Sequence, residues 1–396
     1  MDSNIAENEQ ELATPPTRPP VVLQILPSLV TGGVERGAVD IAAALAGAGW
    51  TSLVASAGGP MVREIERAGA THITLPVDSK NPIVIAANVG RLRRVIAERN
   101  VDIVHARSRA PAWSAWLAAR RSRRPFITTF HGTYGAETRF KLWYNSVMAR
   151  GDRVIAISNF IATHMIDAYG ADPDRIRVIP RGIDLGVFDA HRVSPERIIQ
   201  LAVHWRLPDG APVVMLPGRL TRWKGQSVLL EAMAKLKRPD VVCVIVGSDQ
   251  GRTKYRTELQ ATAERLGIGF STRIVDDCRD MPAALLLATV VVSASTDPEA
   301  FGRVIAEAQA MGRPVIASDH GGARETVIPG ETGWLVPPGD ADALAQAIDQ
   351  ALSLREDGRL RLAETAIAHV HERFSKEAMC QATLDVYAEL LNDSSA

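Results

Sequence analysis

The sequence predicts an α/β fold made of two doubly wound domains that face each other across a cleft. Short apolar runs rich in β-branched residues alternate with helix-like segments from Val21 almost to the end of the chain, as expected for parallel sheets covered by helices on both faces. The alternation pauses at residues 181–210, where we predict a connector with one short helix, and then restarts. The length of 396 residues also fits two domains better than one.

The predicted strands are apolar runs of three to six residues that are bounded by turn-forming residues. In the first series they are 21–26, 52–56, 73–75, 102–105, 126–130, 153–157 and 176–179. In the second series they are 212–216, 241–246, 273–275, 290–293, 314–317 and 333–336. Helical patterns include 83–98, 159–169, 304–311 and 375–391.

These elements suggest four segments. Residues 1–19 are polar, acidic and then Pro-rich, without the apolar core of a signal peptide, and we predict a disordered tail there. Residues 20–195 form a predicted N-terminal Rossmann-like domain, and residues 205–375 form a C-terminal one. Residues 376–396 are expected to form a helix that crosses back to the first domain. Ligands of such folds bind at the carboxyl ends of strands, so the cleft is the expected site.

The composition excludes several classes of protein. Lys plus Arg equals Asp plus Glu at 45 each, so no overall field favours nucleic acid as a partner. The three cysteines have no metal-ligand spacing, which is typical of a reduced, cytoplasmic protein. No run of 18 apolar residues is present, and we expect a soluble chain that could still rest on a membrane surface.

The most informative stretch is Ser293–Glu307. It follows a predicted buried strand and places Glu299 on the loop before a helix, with Phe301 and Gly302 at the turn and Glu307 two turns into the helix. A helix N-terminus offers free amides that suit a phosphate. Two carboxylates beside it suggest a diphosphate with sugar hydroxyls, although such Glu pairs are more often solvated surface charges.

Basic and glycine-rich loops follow other strands. Arg219 and Lys224 stand five residues apart after the strand that ends near Leu216, where they could neutralise a diphosphate or simply be solvated. In the first domain, Gly33 and Glu35 follow the first strand, in a turn that lacks the full dinucleotide fingerprint.

Two further strands of the first domain end on polar side chains. His131 ends one of them on a Gly-bearing loop, where it is either functional or a capping residue, and Arg107 lies at another strand exit.

These residues match a known pattern. The spacing Glu299-x-Phe301-Gly302-x₄-Glu307 resembles the donor-site signature of retaining, nucleotide-sugar-dependent glycosyltransferases of family four, which have the GT-B fold. The Gly-Arg…Lys-Gly loop at 218–225 and the glycine-rich turns at 318–325 and 330–339 occur in the family's order. The resemblance covers residues 21 to 380 and is stronger in the second half.

The resemblance implies a role for each residue. On the donor side, Arg219 and Lys224 would hold the diphosphate, Glu299 would contact the sugar hydroxyls and Glu307 the ribose, beside the amides of Phe301 and Gly302. On the acceptor side, Gly33 would face the donor phosphate, Glu35 and Arg107 the acceptor, and His131 the donor sugar. Many relatives carry a His where this chain has Arg107, and an anionic acceptor group is one explanation for the difference.

The implied function is hexosyl transfer from a nucleoside-diphosphate-sugar, with a UDP-sugar favoured and no cofactor, to a hydroxyl of a glycan or lipid-linked acceptor. The expected role is in lipopolysaccharide or other envelope glycan synthesis. Because the sequence offers no metal-binding cluster, we predict metal-independent catalysis. Two alternatives remain: a nucleotide-sugar epimerase or hydrolase of the same fold, and a non-catalytic glycan- or nucleotide-binding scaffold. Asp172-x-Asp174 has the form of a metal motif, but it precedes a strand and is expected to be a turn.

One segment suggests contact with a membrane. Residues 111–124 hold two Trp residues at helical spacing and four Arg near the end. Such a helix could rest on the inner face of the cytoplasmic membrane, or its Trp residues could pack into the protein.

Overall fold

The computed structural model describes residues 18–30, 32–135 and 138–393. The predicted tail at residues 1–19 therefore lies, except for its last two residues, outside the described part of the chain. Within that part, two parallel β-sheets are each covered by helices, which confirms the predicted α/β fold.

The first sheet has seven strands in the order β3-β2-β1-β4-β5-β6-β7, all parallel. In chain order the strands are β1 Val21–Ile25, β2 Thr51–Ser56, β3 Thr71–Thr74, β4 Ile103–Ala106, β5 Phe126–Phe130, β6 Arg153–Ala156 and β7 Ile176–Val178. The order reverses beside β1, between β1 and β4, and a crevice for ligands forms at such a reversal in open parallel sheets.

The second sheet has six parallel strands in the order β10-β9-β8-β11-β12-β13. The strands are β8 Val213–Pro217, β9 Val242–Val246, β10 Thr272–Val275, β11 Val290–Ser293, β12 Val315–Ser318 and β13 Trp334–Val336. The order reverses between β8 and β11, so the loops that follow these two strands lie side by side.

Helices connect the strands. They are α1 Gly33–Gly47, α2 Val62–Arg67, α3 Pro82–Glu98, α4 Arg109–Arg121, α5 Arg139–Asn145, α6 Asn159–Tyr169, α7 Pro195–His204, α8 Gln226–Leu236, α9 Thr253–Arg265, α10 Met281–Leu287, α11 Arg303–Ala310, α12 Ala323–Thr326, α13 Ala341–Leu352, α14 Glu356–Arg373 and α15 Lys376–Asp393. The sequence explains several helix starts, because Asn81, Thr138, Ser158 and Asp340 each accept a backbone N–H bond as N-cap. None of the described helices is long and apolar enough to cross a membrane.

The last helix packs on the first sheet, although it follows the second one in sequence. The side chains of α15 share a buried cluster with strand residues such as Val22 and Ile103. Tyr387 is fully buried there, and its hydroxyl lies 2.7 Å from Nδ1 of His105. Lys376 at the start of α15 pairs with Asp184 at 2.6 Å. Helix α15 therefore connects the end of the second domain to the first domain.

A second connection joins the two domains at the cleft itself. Glu325, on α12, accepts hydrogen bonds from the backbone amides of Asn159 and Phe160 at 2.8 and 2.7 Å. A carboxylate at this place satisfies free amides and opposes the positive end of the dipole of α6. Ser158 Oγ also donates to the carbonyl of Ala300 at 2.6 Å. The Glu325 contact holds α12 against the first domain, and the Ser158 contact holds the loop between β11 and α11 there.

Candidate active site between the two sheets

The sequence-predicted residues of the second domain lie on the two adjacent loops that follow β8 and β11. Lys224 Nζ donates to Oε1 of Glu299, and Ser295 Oγ donates to the same oxygen at 2.6 Å. The side chains of Lys224 and Glu299 are only 16% and 14% exposed. An ion pair this well shielded is weakly screened by salt and fixes both side chains in place.

Local backbone geometry creates this arrangement. Gly225 has φ +70°, and a Cβ there would overlap the carbonyl of Ala294 at the end of β11. Only glycine allows that close approach without strain. The Lys-Gly pair in the sequence therefore reflects a real constraint: the turn at Gly225 brings the loop of Lys224 onto the loop of Glu299.

The turn at Phe301 and Gly302 begins helix α11. Gly302 is its N-cap with φ +85°, and the first amides of the helix are free by geometry. The Phe301 side chain is buried and packs edge-to-face on Phe374, with ring centroids 5.3 Å apart. Phe301 can therefore contact a ligand only through its backbone, while its ring anchors the loop in the core.

Glu307 is not free on its helix. Arg303 Nε donates to its Oε1 at 2.7 Å, and the Glu307 side chain is 12% exposed. Burial raises the pKa of Glu307 above its ordinary value, and Arg303 partly opposes that rise. The side chain of Arg219, by contrast, is exposed. The backbone carbonyl of Arg219 accepts a hydrogen bond from Gln226 Nε2 at 2.9 Å. The structure does not join Arg219 to the Lys224–Glu299 pair.

The first-domain residues meet around Arg181. Its Nη2 donates to the carbonyl of Gly33, and its Nη1 donates to Nδ1 of His131 at 3.4 Å. Since an arginine only donates, His131 Nδ1 is the unprotonated nitrogen. Burial, together with Arg181 and Arg107, lowers the pKa of His131 well below its ordinary value. The imidazole is therefore neutral at physiological pH.

Arg107 belongs to the same cluster, whereas its neighbour His105 does not. Arg107 Nη1 donates to Gln24 Oε1 at 3.1 Å, and the side chain is 3% exposed. His105 points the other way, with its two ring nitrogens 2.7 Å from Tyr387 and Thr129. Glu35 lies at the entrance of the cluster, where its charge raises the pKa of Arg181.

Four residues of this site were given no role from the sequence. Arg181 lies three residues after the end of β7, and Arg303 is the first residue of α11. Their positions after a strand and at the start of a helix were the signals that could have indicated a role. Ser295 and Glu325 lie in or beside matched motifs but were given no role. Two other sequence interpretations are clarified. Asp172 caps a short turn, and Trp113 stacks on Trp143 with centroids 4.7 Å apart.

Two chemically different walls therefore face each other. One carries a shielded Lys–Glu–Ser network beside a helix N-terminus, which suits a diphosphate and sugar hydroxyls. The other carries buried cations and a neutral imidazole. Among the described residues, no group of three or more His, Cys, Asp or Glu side chains is placed to hold a metal ion.

Comparisons with known proteins agree with this geometry. Residues 31–187 match a family model described as Glycosyltransferase Family 4, and residues 200–369 match one described as Glycosyl transferases group 1. The chain is 33% identical over 304 residues to a D-inositol 3-phosphate glycosyltransferase of Xylanimonas cellulosilytica. The matched region covers 73% of this chain and 72% of that protein.

Solved structures extend the match to nearly the whole chain. A glycosyltransferase from Rickettsia africae superimposes with a TM-score of 0.88 at 39% identity, covering 94% of this chain and 99% of that one. Anabaena Alr3699/HepE in complex with UDP and glucose superimposes with a TM-score of 0.80 at 27% identity, covering 93% and 99%. The chain belongs to glycosyltransferase family 4 and has the GT-B fold.

Proposed function

We propose that this glycosyltransferase is a retaining hexosyltransferase that moves a sugar from a nucleoside-diphosphate-sugar to a hydroxyl without a metal ion. The observation that carries the proposal is the Lys224–Glu299–Ser295 network beside the N-terminus of α11. A UDP-sugar is the favoured donor, because HepE, the relative described above, was solved with UDP and with UDP-glucose.

The wall of the second domain would serve the leaving group. Lys224, with Arg219 closing from the exposed side, would neutralise the diphosphate, and the free amides at Gly302 and beyond would donate to its oxygens. Glu299, already oriented by Lys224 and Ser295, would accept hydrogen bonds from sugar hydroxyls. Glu307 would accept from the ribose and would have to share its carboxylate with Arg303.

The wall of the first domain would present the acceptor. Attack on the same face as departure would break the bond from the anomeric carbon to the phosphate oxygen and form the bond to the acceptor oxygen. The acceptor proton would pass to the departing phosphate oxygen. His131 is neutral and accepts from Arg181 through Nδ1, so its Nε2–H would donate a hydrogen bond near the sugar without adding a charge.

A donor screen tests the proposal. Calorimetry and thermal shift in EDTA against UDP, GDP, ADP, CMP and their sugar conjugates should give tight binding of one nucleotide. NMR of the sugar released by slow hydrolysis should show the anomeric configuration of the donor as the first product. Loss of all activity in EDTA would contradict the metal-free mechanism, and an inverted first product would contradict retention.

The same screen separates the alternatives. A nucleotide-sugar that is converted to a different sugar, without any acceptor, would identify an epimerase. Efficient release of free sugar, faster than transfer to any glycan, would identify a hydrolase. Failure of all nucleotides to bind would favour a non-catalytic scaffold.

We also propose that the acceptor is lipid-linked, as in envelope glycan or lipopolysaccharide synthesis, and that the protein works at the inner face of the cytoplasmic membrane. Support comes from α5, where Phe140 and Trp143 are 71% and 53% exposed beside the packed Trp113. Exposed aromatic side chains suit a lipid interface. Phe270, which precedes β10 of the second sheet and is 67% exposed, provides the control. Co-sedimentation with anionic vesicles should fall in Phe140→Ser and stay unchanged in Phe270→Ser; equal binding by both would contradict the contact.

A further inference from the structure

Two buried arginines lie side by side on the wall of the first domain without a carboxylate partner. Arg107 is 3% exposed and Arg181 is 8% exposed. Among the described residues, neither forms an ion pair within 4.0 Å, and Arg107 Nε has no hydrogen-bond partner. Their hydrogen bonds go to neutral groups: Gln24, Gly33 and His131.

A third arginine approaches from the other wall. Arg303 Nη1 lies 4.0 Å from where a Cβ on Gly33 would be. Its Nε is used by Glu307, which leaves the outer nitrogens for other partners. The cluster therefore draws on both domains.

The glycines of α1 make room for these guanidinium groups. A Cβ on Gly33 would be 2.9 Å from Arg181 Nη2. A Cβ on Gly37 would be 2.9 Å from Arg107 Nη2 and 3.0 Å from Arg181 Nη1. Two glycines one helical turn apart thus allow both arginines to lie against the helix backbone.

The electrostatics show that the nearby acids do not balance this cluster. Burial, then Arg107 and Arg303, lowers the pKa of Arg181 to about 9, although Asp40 and Glu35 act in the opposite direction. The guanidinium is still charged at neutral pH. Burial also raises the pKa of Asp40 and outweighs the opposite effect of the cations around it, Lys376 first and Arg181 among them. Buried charges of one sign are unfavourable unless an anion pairs with them.

We propose that Arg107, Arg181 and Arg303 together bind a phosphate or carboxylate group carried by the acceptor. The proposal rests on the proposed transfer to a hydroxyl acceptor and narrows it to acidic acceptors. Planar guanidinium forks suit either anion, because each offers two parallel N–H donors. The enzyme thus selects an acceptor whose charged group lies near the attacking hydroxyl.

The position of the cluster favours the acceptor over the donor as the source of the anion. Arg107 and Arg181 follow strands β4 and β7 of the first sheet, and Lys224 follows β8 of the second. Lys224 and the amides of α11 already provide a separate place for the donor diphosphate. Arg303 lies between the two places, so binding of the acidic acceptor would also draw the walls together.

The experiment uses the full chain saturated with the nucleoside diphosphate identified in the donor screen, with inorganic phosphate as the probe. Calorimetry should detect phosphate binding to this complex, and glucuronate should bind where neutral glucose does not. Arg107→Gln and Arg181→Gln should each weaken phosphate binding by about tenfold and change nucleotide affinity by less than about twofold. The matched control is Arg36→Gln, which removes one exposed positive charge from α1, the helix against which both arginines lie.

Gly37→Ala provides a second variant that keeps every charge. Its methyl group would displace the ends of Arg107 and Arg181 and should weaken phosphate binding by several fold. This variant tests the site even if an arginine variant fails to fold, because alanine is favourable inside a helix.

The outcomes are distinguishable. Phosphate that binds only in the absence of nucleotide, with nucleotide binding weakened in Arg181→Gln, would place the anion on the donor and overturn the proposal. No phosphate or glucuronate binding to a protein that binds nucleotide would also overturn it. Failure to bind any nucleotide would instead contradict the proposed function. Binding that survives both arginine substitutions and Gly37→Ala would show that the phosphate lies elsewhere.

Discussion

The two walls of the cleft use charge in opposite ways. On the wall of the second domain, Lys224 and Arg303 each have a carboxylate partner from their own domain. On the wall of the first domain, Arg107 and Arg181 are more deeply buried but donate only to neutral groups. The first arrangement is complete within the protein. The second reaches charge balance only with a ligand.

Because the two walls differ in charge pairing, one cleft can bind two different substrates. Ion pairs fix side chains in place, so the donor would meet a preorganised surface and little reorganisation would follow its binding. Unpaired buried cations instead destabilise the protein until an anion binds to them. The wall of the first domain is therefore selective for acidic partners. Substitutions on the two walls should therefore have different consequences.

The largest effect is expected for Lys224→Ala. Removing the cation takes away stabilisation of the leaving diphosphate and leaves Glu299 without its ion pair, so turnover should fall roughly 10²–10³-fold. Initial rates of nucleotide-sugar turnover would measure the change. Lys235→Ala is the control, because Lys235 also pairs with a carboxylate but does so on the surface. A loss below about threefold would remove Lys224 from the catalytic groups.

The next effect is expected for Glu307→Gln. The amide keeps the shape but loses the charge-assisted bonds to Arg303 and to a ribose hydroxyl, so nucleotide affinity should fall about tenfold. Calorimetry with the bound nucleotide measures this. Asp357→Asn removes another i,i+4 ion pair, one that lies on the exposed face of α14, and should leave nucleotide affinity unchanged. Unchanged affinity in Glu307→Gln would contradict the ribose assignment.

A smaller effect is expected for the contact that joins the walls. Glu325→Ala deprives two amides of α6 of their acceptor and should lower the free energy of unfolding by about 0.5–2 kcal/mol. Asp340→Ala removes a cap of similar strength within one domain. Urea unfolding should show comparable losses, but only Glu325→Ala should also weaken donor binding. Equal donor affinity in both variants would show that the contact does not position the loop of Glu299.

The smallest effect is expected for the pH dependence due to His131. The pKa of its imidazole is lowered by burial and by its cationic neighbours Arg181 and Arg107, with a contribution from His105. The ring should stay neutral at its ordinary titration point near pH 6.5 and above it, and rates of the wild type and His131→Asn should change in parallel there. An inflection near pH 6.5 in the pH–rate profile of the wild type alone would show that the His131 ring titrates there. That result would contradict the lowered pKa.

Much of the fold could be predicted because its elements are locally encoded. Each predicted strand coincides within one or two residues with an observed one, since apolar runs of β-branched residues end at turn formers. The helix boundaries were similarly readable from caps such as Ser158. The helix predicted at 375–391 corresponds to α15, and its place on the first sheet depends on the burial of side chains such as Tyr387.

The site could be predicted only where sequence neighbours share it. Glu299, Gly302 and Glu307 lie in one stretch, and their spacing showed that they belong together. Arg181 and Arg303 are 122 positions apart, and no local pattern relates them. Likewise, the family resemblance implied that Glu307 contacts a ribose, but no sequence pattern showed that Arg303 already pairs with Glu307.

The two α/β domains, the family resemblance and the residue types at the strand exits could be predicted from the sequence, because they depend on local periodicity and on motifs within short stretches. Tertiary structure alone decided which charges are paired. Pairing depends on distances between loops that follow different strands, and the value of each charge depends on its burial. For this reason Lys224 became part of a balanced network, whereas Arg107 and Arg181 became buried cations that require an anion.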